Sequence, residues 1–244
     1  MLNFSCHACI NLSGASADFP GVAVNTVRGV YGKDIGVVYI NGASGDVTQI
    51  DNLSMKRDMG GDIALKLGRV VGARAIELLA TAPRGEINSL RYTSTRIPIE
   101  ETLPSTDEVE QAWKIVRHYF SAVNNSAPTE KLCVAQLGPL VVGSSSGEMF
   151  AQYALDFKAA SQFPFTWYSQ LASNQLGYVP TPDCFRKVGG GYETATSKFA
   201  PDTGTRVIET LVGMVRQLTP EDAPADETVP PANSAWAYNF EKKE

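Results

Sequence analysis

The sequence predicts an α/β fold, with layered mixed sheets flanked by helices. Short apolar runs of strand length, IGVVYI (35–40), LGPLVV (137–142) and FTWYSQLA (165–172), recur along the chain, and segments with apolar residues at helical spacing lie between them. Each run is followed by a loop of small and polar residues, as in sheets whose strand ends carry the chemistry.

The elements follow in order. Leu2, Phe4 and Cys6 alternate with Asn3 and Ser5, which predicts a half-buried strand over 2–8 with His7 near its end. A Gly/Ser loop leads to a helix near 20–31 that Pro20 can start. IGVVYI is rich in β-branched residues, reads as a buried strand, and runs into the loop NGASGD. From Gly61 to Ala82, Ile63, Leu67, Val70, Val71, Ala75, Leu78 and Leu79 recur at helical spacing. SLRYTSTRIPI (89–99) alternates as a strand, and STDEVEQAWKIVRHYF (105–120) reads as a helix capped by Ser105 or Thr106 with acids in its first turn. CVAQLGPLVVGSSSGE (133–148) supplies one or two strands and a small-residue loop, and a helix is expected to start at or close to Glu148. FTWYSQLA is a buried strand ending in SNQLGYVPTP. The Gly-rich segment VGGGYETATSKFAPDTG precedes a last helix, TRVIETLVGMVRQL. Residues 1–218 make the expected domain, and the acidic, Pro-rich residues 219–244 an extended tail.

Composition narrows the function. With 26 acidic against 21 basic residues the net charge is −5, and no basic cluster marks a nucleic-acid footprint. No run approaches the ~18 apolar residues of a membrane span, and the N-terminus has no signal-peptide pattern. A strand at residue two, with nothing ahead of it, predicts a chain that begins inside a larger domain. Four cysteines, Cys6, Cys9, Cys133 and Cys184, are too few for a disulfide scaffold.

NFSCHAC (3–9) holds one of two histidines in the chain. His7 reads as a metal ligand, as part of a thiol site with Cys6 and Cys9, or as a packed residue. On a strand the two cysteines would point to opposite faces, which spoils a chelate. Glu148 at a helix N-terminus is a dipole partner or a ligand, and Tyr178 a packing residue or a ligand. His118 lies off the Val109–Trp113–Val116–Phe120 stripe and reads as solvated.

Taken together, five segments resemble the catalytic domain of the neutral/alkaline non-lysosomal ceramidase family. NFSCHAC is similar to that family's NFAVHPT-type motif, GDVT (45–48) to GDVSP, SGEMF to PGEF, GYVPTP to GYVTT and YETATS to YEGAST, in family order from the start of the chain to about residue 200. The resemblance implies the C-terminal portion of a ceramidase-like catalytic domain. It implies a Zn2+ held by His7, Glu148 and Tyr178, a catalytic Thr48, a Tyr192 that polarises the amide carbonyl, and hydrolysis of an N-acyl sphingoid or related N-acyl substrate. The residue types suit that chemistry: a catalytic zinc takes N and O donors and keeps a position open. Two departures stand out. The family's further histidine ligand, in an upstream HTH-like motif, has no counterpart here. Thr48 and Gln49 replace the family's Ser and Pro, and threonine is the more hindered, χ1-stiff alcohol. The rival readings are an inactive fragment or a family member that binds metal or lipid without cleaving, and a generic α/β binding domain without metal.

Overall fold

In the computed structural model the described residues are 1–11, 14–49, 51, 59–82, 87–101, 129–185 and 191–221. The helix expected over 105–120, with His118, and most of the expected tail lie outside them.

The main sheet has four strands in the order β3-β4-β5-β7 (β3 Leu90–Pro98, β4 Thr129–Leu137, β5 Leu140–Ser144, β7 Phe165–Ser169). β3/β4 and β4/β5 are antiparallel, while β5/β7 are parallel. The β4–β5 hairpin turns at Gly138, whose φ of +55° suits glycine. The parallel step needs a crossover, supplied by β6 (Glu148–Met149) and helix α3 (Ala151–Ala160). Alternate residues of β4 and β5, among them Leu132, Val134 and Val141, meet Met149, Tyr153 and Phe157 of the crossover and Val207, Leu211 and Val215 of helix α5 (Thr203–Val215) in one buried core. The expected layered mixed sheet with helices is therefore observed.

The first two strands are shorter than their sequence patterns suggest. β1 covers Leu2–Phe4 and pairs in parallel with β2, Tyr39–Asn41. The apolar alternation at 2–8 and the run at 35–40 thus yield three-residue strands. The rest of each run is held by loop contacts instead of ladder bonds. Helix α1 (Asp18–Tyr31) starts two residues before Pro20, and α2 spans Gly61–Thr81.

The buried face of α2 coincides only in part with the expected apolar stripe, of which Ala75 is buried and Ile63 and Leu67 pack against the core. It consists of Ala64, Gly68, Gly72 and Ala75, while Val70, Leu78 and Leu79 are exposed. A Cβ on Gly68 would stand 2.4 Å from Val22 Cβ and 2.5 Å from the Phe19 carbonyl, and one on Gly72 2.6 Å from Thr26 Cβ. Small residues let α1 and α2 approach backbone to backbone, and periodicity of large residues alone could not reveal that. Gly68→Ala is expected to cost ~1–3 kcal/mol by overpacking, measured as a lowered Tm; an unchanged Tm would show that the helices part without penalty.

Candidate active site

The segment after β1 carries His7 and is anchored by Asp18. The Asp18 carboxylate accepts from the amides of Ile10 (2.9 Å), Asn11 (2.7 Å) and Phe19 (2.6 Å). This buried anchor fixes residues 10–11 against the start of α1. Three residues nearer the N-terminus, the His7 amide donates to the Val47 carbonyl at 3.2 Å. The Gln49 amide, oriented to satisfy its neighbours, donates to the His7 carbonyl at 2.8 Å. Gln49, where the family has a proline, therefore ties the GDVT loop to the histidine segment from its second side.

The same loop is docked on β6. Gly45 donates to the Met149 carbonyl at 2.8 Å, and Asp46 Oδ1 accepts from the Ala151 amide at 2.6 Å. Asp46 thereby satisfies one of the orphan amides at the start of α3, a cap supplied from a distant loop. Glu148 is not at that helix start, as the sequence suggested. It lies in β6, whose register with β8 (Tyr178–Val179) sets Glu148 beside Tyr178. Neighbouring residues of parallel strands project to the same face, so the two side chains emerge together.

Three sequence-predicted ligands thus converge. His7 Nε2 lies 3.7 Å from Glu148 Oε2, with both side chains mostly buried. The His7 ring meets the Tyr178 ring edge to face at 5.9 Å between centroids, and Tyr178 meets Tyr192 in the same way at 5.8 Å. Tyr192 is the first residue of the short helix α4 (Tyr192–Thr196) and is 68% exposed. It begins a helical turn instead of lying in a glycine loop, and its ring joins the site through Tyr178. Thr48 is exposed, one residue past the Val47 carbonyl that holds His7. The two cysteines do not share a strand, since β1 ends at Phe4; Cys6 is buried, Cys9 is exposed, and both are free thiols.

Burial raises the Glu148 carboxyl above the usual carboxylate range, and the neighbouring His7 pulls it partly back. Tyr178 is pushed up to about 12, first by burial and then by the nearby Glu148 and other acidic groups. A site that raises both groups disfavours uncompensated negative charge.

The donor set fits a zinc ion on one further observation. His7 Nε2 is buried without a hydrogen-bond partner among the described residues, and 3.7 Å to a carboxylate is too long for a hydrogen bond. A buried ring nitrogen ordinarily has a partner, and a cation between imidazole and carboxylate would serve as one. No three His, Cys, Asp or Glu side chains cluster among the described residues. Beside these two, Tyr178 offers a phenol oxygen, whose ionisation a cation would favour.

Sequence reasoning passed over Asp18, Asp46 and the tethering role of Gln49. Gln49 was visible only as a departure from a motif. The two aspartates act across distances that no local pattern encodes.

No family model and no curated protein matches the sequence. Among solved structures, a ceramidase complexed with C2 superposes with a TM-score of 0.67 at 14% identity, covering 91% of this chain and 46% of that one. The neutral ceramidase from Pseudomonas aeruginosa gives 0.65 at 15% identity, covering 92% of this chain and 45% of that one. The chain thus spans about half the length of the ceramidases it matches, and what it shares with them over that span is the fold.

Proposed function

We propose that this chain carries part of a zinc-dependent amide hydrolase site of ceramidase type, acting on an N-acyl sphingoid or related N-acyl substrate. The observation that carries the reading is the meeting of His7, Glu148 and Tyr178 around an unpartnered imidazole nitrogen, on a fold of the ceramidase kind. When bound, a zinc at these donors would supply Lewis-acid polarisation of the scissile carbonyl. Glu148 and His7 hold the position, and their burial keeps bulk water from competing for it. The Thr48 hydroxyl serves as nucleophile or orients the attacking water, and the Tyr192 hydroxyl donates to the carbonyl oxygen as negative charge grows there. Water adds across the C–N bond, giving a carboxylic acid and an amine.

Hydrolysis of a fluorogenic N-acyl amide with and without added zinc tests the reading. Weak turnover that needs zinc, abolished by chelation and restored by zinc, is the expected result for this chain by itself. Zinc binding without turnover would favour a chain that binds and does not cleave, a reading supported by threonine at position 48. Thr48→Ala should lower kcat by at least about tenfold, in the range of a positioned proton-transfer or nucleophilic group; unchanged turnover would make Thr48 structural. Tyr192→Phe should lower kcat with little change in KM, the mark of an interaction made in the transition state. A raised KM alone would assign Tyr192 to substrate binding.

A further inference from the structure

Glu130 is 1% exposed on β4, apart from the residues of the proposed site, and among the described residues only one of its oxygens has a hydrogen-bond partner. β5 is paired with β4 from Leu137↔Leu140 to Cys133↔Ser144 and then leaves the ladder. Ser145 still finds a main-chain partner, since its amide donates to the Ser169 carbonyl at 3.1 Å. The Ser146 amide has no main-chain partner among the described residues, and Glu130 Oε1 accepts from it. The Ser146 hydroxyl also reaches the Glu130 carboxyl and lies 3.1 Å from the Ala172 carbonyl. On the other side the Ser145 hydroxyl bonds the buried Tyr168 hydroxyl. Two residues on, the Glu148 amide donates to the Gly177 carbonyl at 2.9 Å, beginning the β6–β8 pairing that sets Glu148 beside Tyr178.

A carboxyl side chain thus stands in for the missing strand partner at the point where the chain turns towards the site. We propose that Glu130 is a positioning residue: as a hydrogen-bond acceptor it fixes the Ser145–Gly147 turn, and through it the placement of Glu148 against His7 and Tyr178. The consequence for metal rests on the function proposed above; the fixing of the turn does not. What matters is the acceptor oxygen at the length of a glutamate. Burial pushes this carboxyl up to about 7 against the pull of the Ser146 hydrogen bonds and Arg96, so a neutral group is tolerated there. Glutamine offers the same oxygen at the same reach, while aspartate keeps the charge but withdraws the acceptor by one carbon.

The test compares Glu130→Gln, Glu130→Asp and Glu130→Leu with the unaltered chain by amide hydrogen exchange and by zinc affinity in competition with a chromogenic chelator. Glu130→Gln is expected to keep the protection of residues 145–149 and 177–179 within about twofold. Glu130→Asp and Glu130→Leu should speed exchange there by at least about tenfold, the loss of one buried hydrogen bond, with α1 and α2 unaffected. Zinc affinity should follow the same order. If Glu130→Leu does not fold, the contrast between Gln and Asp decides alone. Protection kept by Asp and lost in Gln would mean that charge is what counts, and equal protection in all soluble variants would mean that Glu130 positions nothing; either overturns the proposal. If the unaltered chain takes up no zinc while the exchange pattern holds, the proposed function fails and the positioning role stands.

Discussion

Glu148→Gln should lower zinc affinity by on the order of a hundredfold or more. Residues that merely orient ligands already contribute ten- to a hundredfold, and Glu148 is proposed as a ligand itself. The substitution keeps size and shape, so β6 should keep its register with β8 and the fold its stability. The raised carboxyl even favours a neutral side chain in the metal-free protein. A modest rise in Tm together with loss of zinc is therefore the expected pair of results, read by thermal melts and chelator competition. Full zinc retention would remove Glu148 from the site.

Gly45→Ala should have the largest effect of any single methyl group near the site. A Cβ there would stand 2.4 Å from the Glu148 carbonyl oxygen and 3.0 Å from the Met149 carbonyl group, and these are backbone atoms that cannot rotate away. Relief comes only by lifting the 42–48 loop off β6. That breaks the Gly45–Met149 hydrogen bond and strains the Asp46 cap on α3. We expect a loss of ~1–3 kcal/mol in thermal or denaturant unfolding. A fall in zinc affinity should accompany it, because Val47 and Gln49 of the displaced loop hold His7. A stable variant with unchanged zinc binding would show that the loop and β6 are independent.

The parts of this molecule that the sequence made legible are those governed by local pattern. Alternation in SLRYTSTRIPI and the apolar runs LGPLVV and FTWYSQLA became β3, β5 and β7, helical spacing located α2, Pro20 pointed to α1, and TRVIETLVGMVRQL contains α5. Pattern failed where tertiary contacts decide. The residues of 2–8 and 35–40 satisfy their backbone largely outside a ladder, so the strands are three residues long. In α2 Val70, Leu78 and Leu79 are exposed, while Gly68 and Gly72 permit a closer approach to α1 than leucines could. His7, Glu148 and Tyr178 were chosen from a resemblance between short motifs. What brings them together is the docking of the 42–48 loop on β6 and the β6–β8 register, neither of which has a local signature. Glu130 shares the buried face of β4 with Leu132 and Val134, and its partner, the Ser146 amide, lies past the β4–β5 pairing, where no local pattern points.

The most direct measurement is anomalous X-ray diffraction at the zinc absorption edge from crystals of this chain grown with zinc. One strong peak is expected in contact with His7 Nε2, the Glu148 carboxylate and the Tyr178 oxygen, at about 2.0–2.2 Å from each. A peak at other side chains, or no peak at zinc concentrations that saturate binding in solution, would contradict the proposed site.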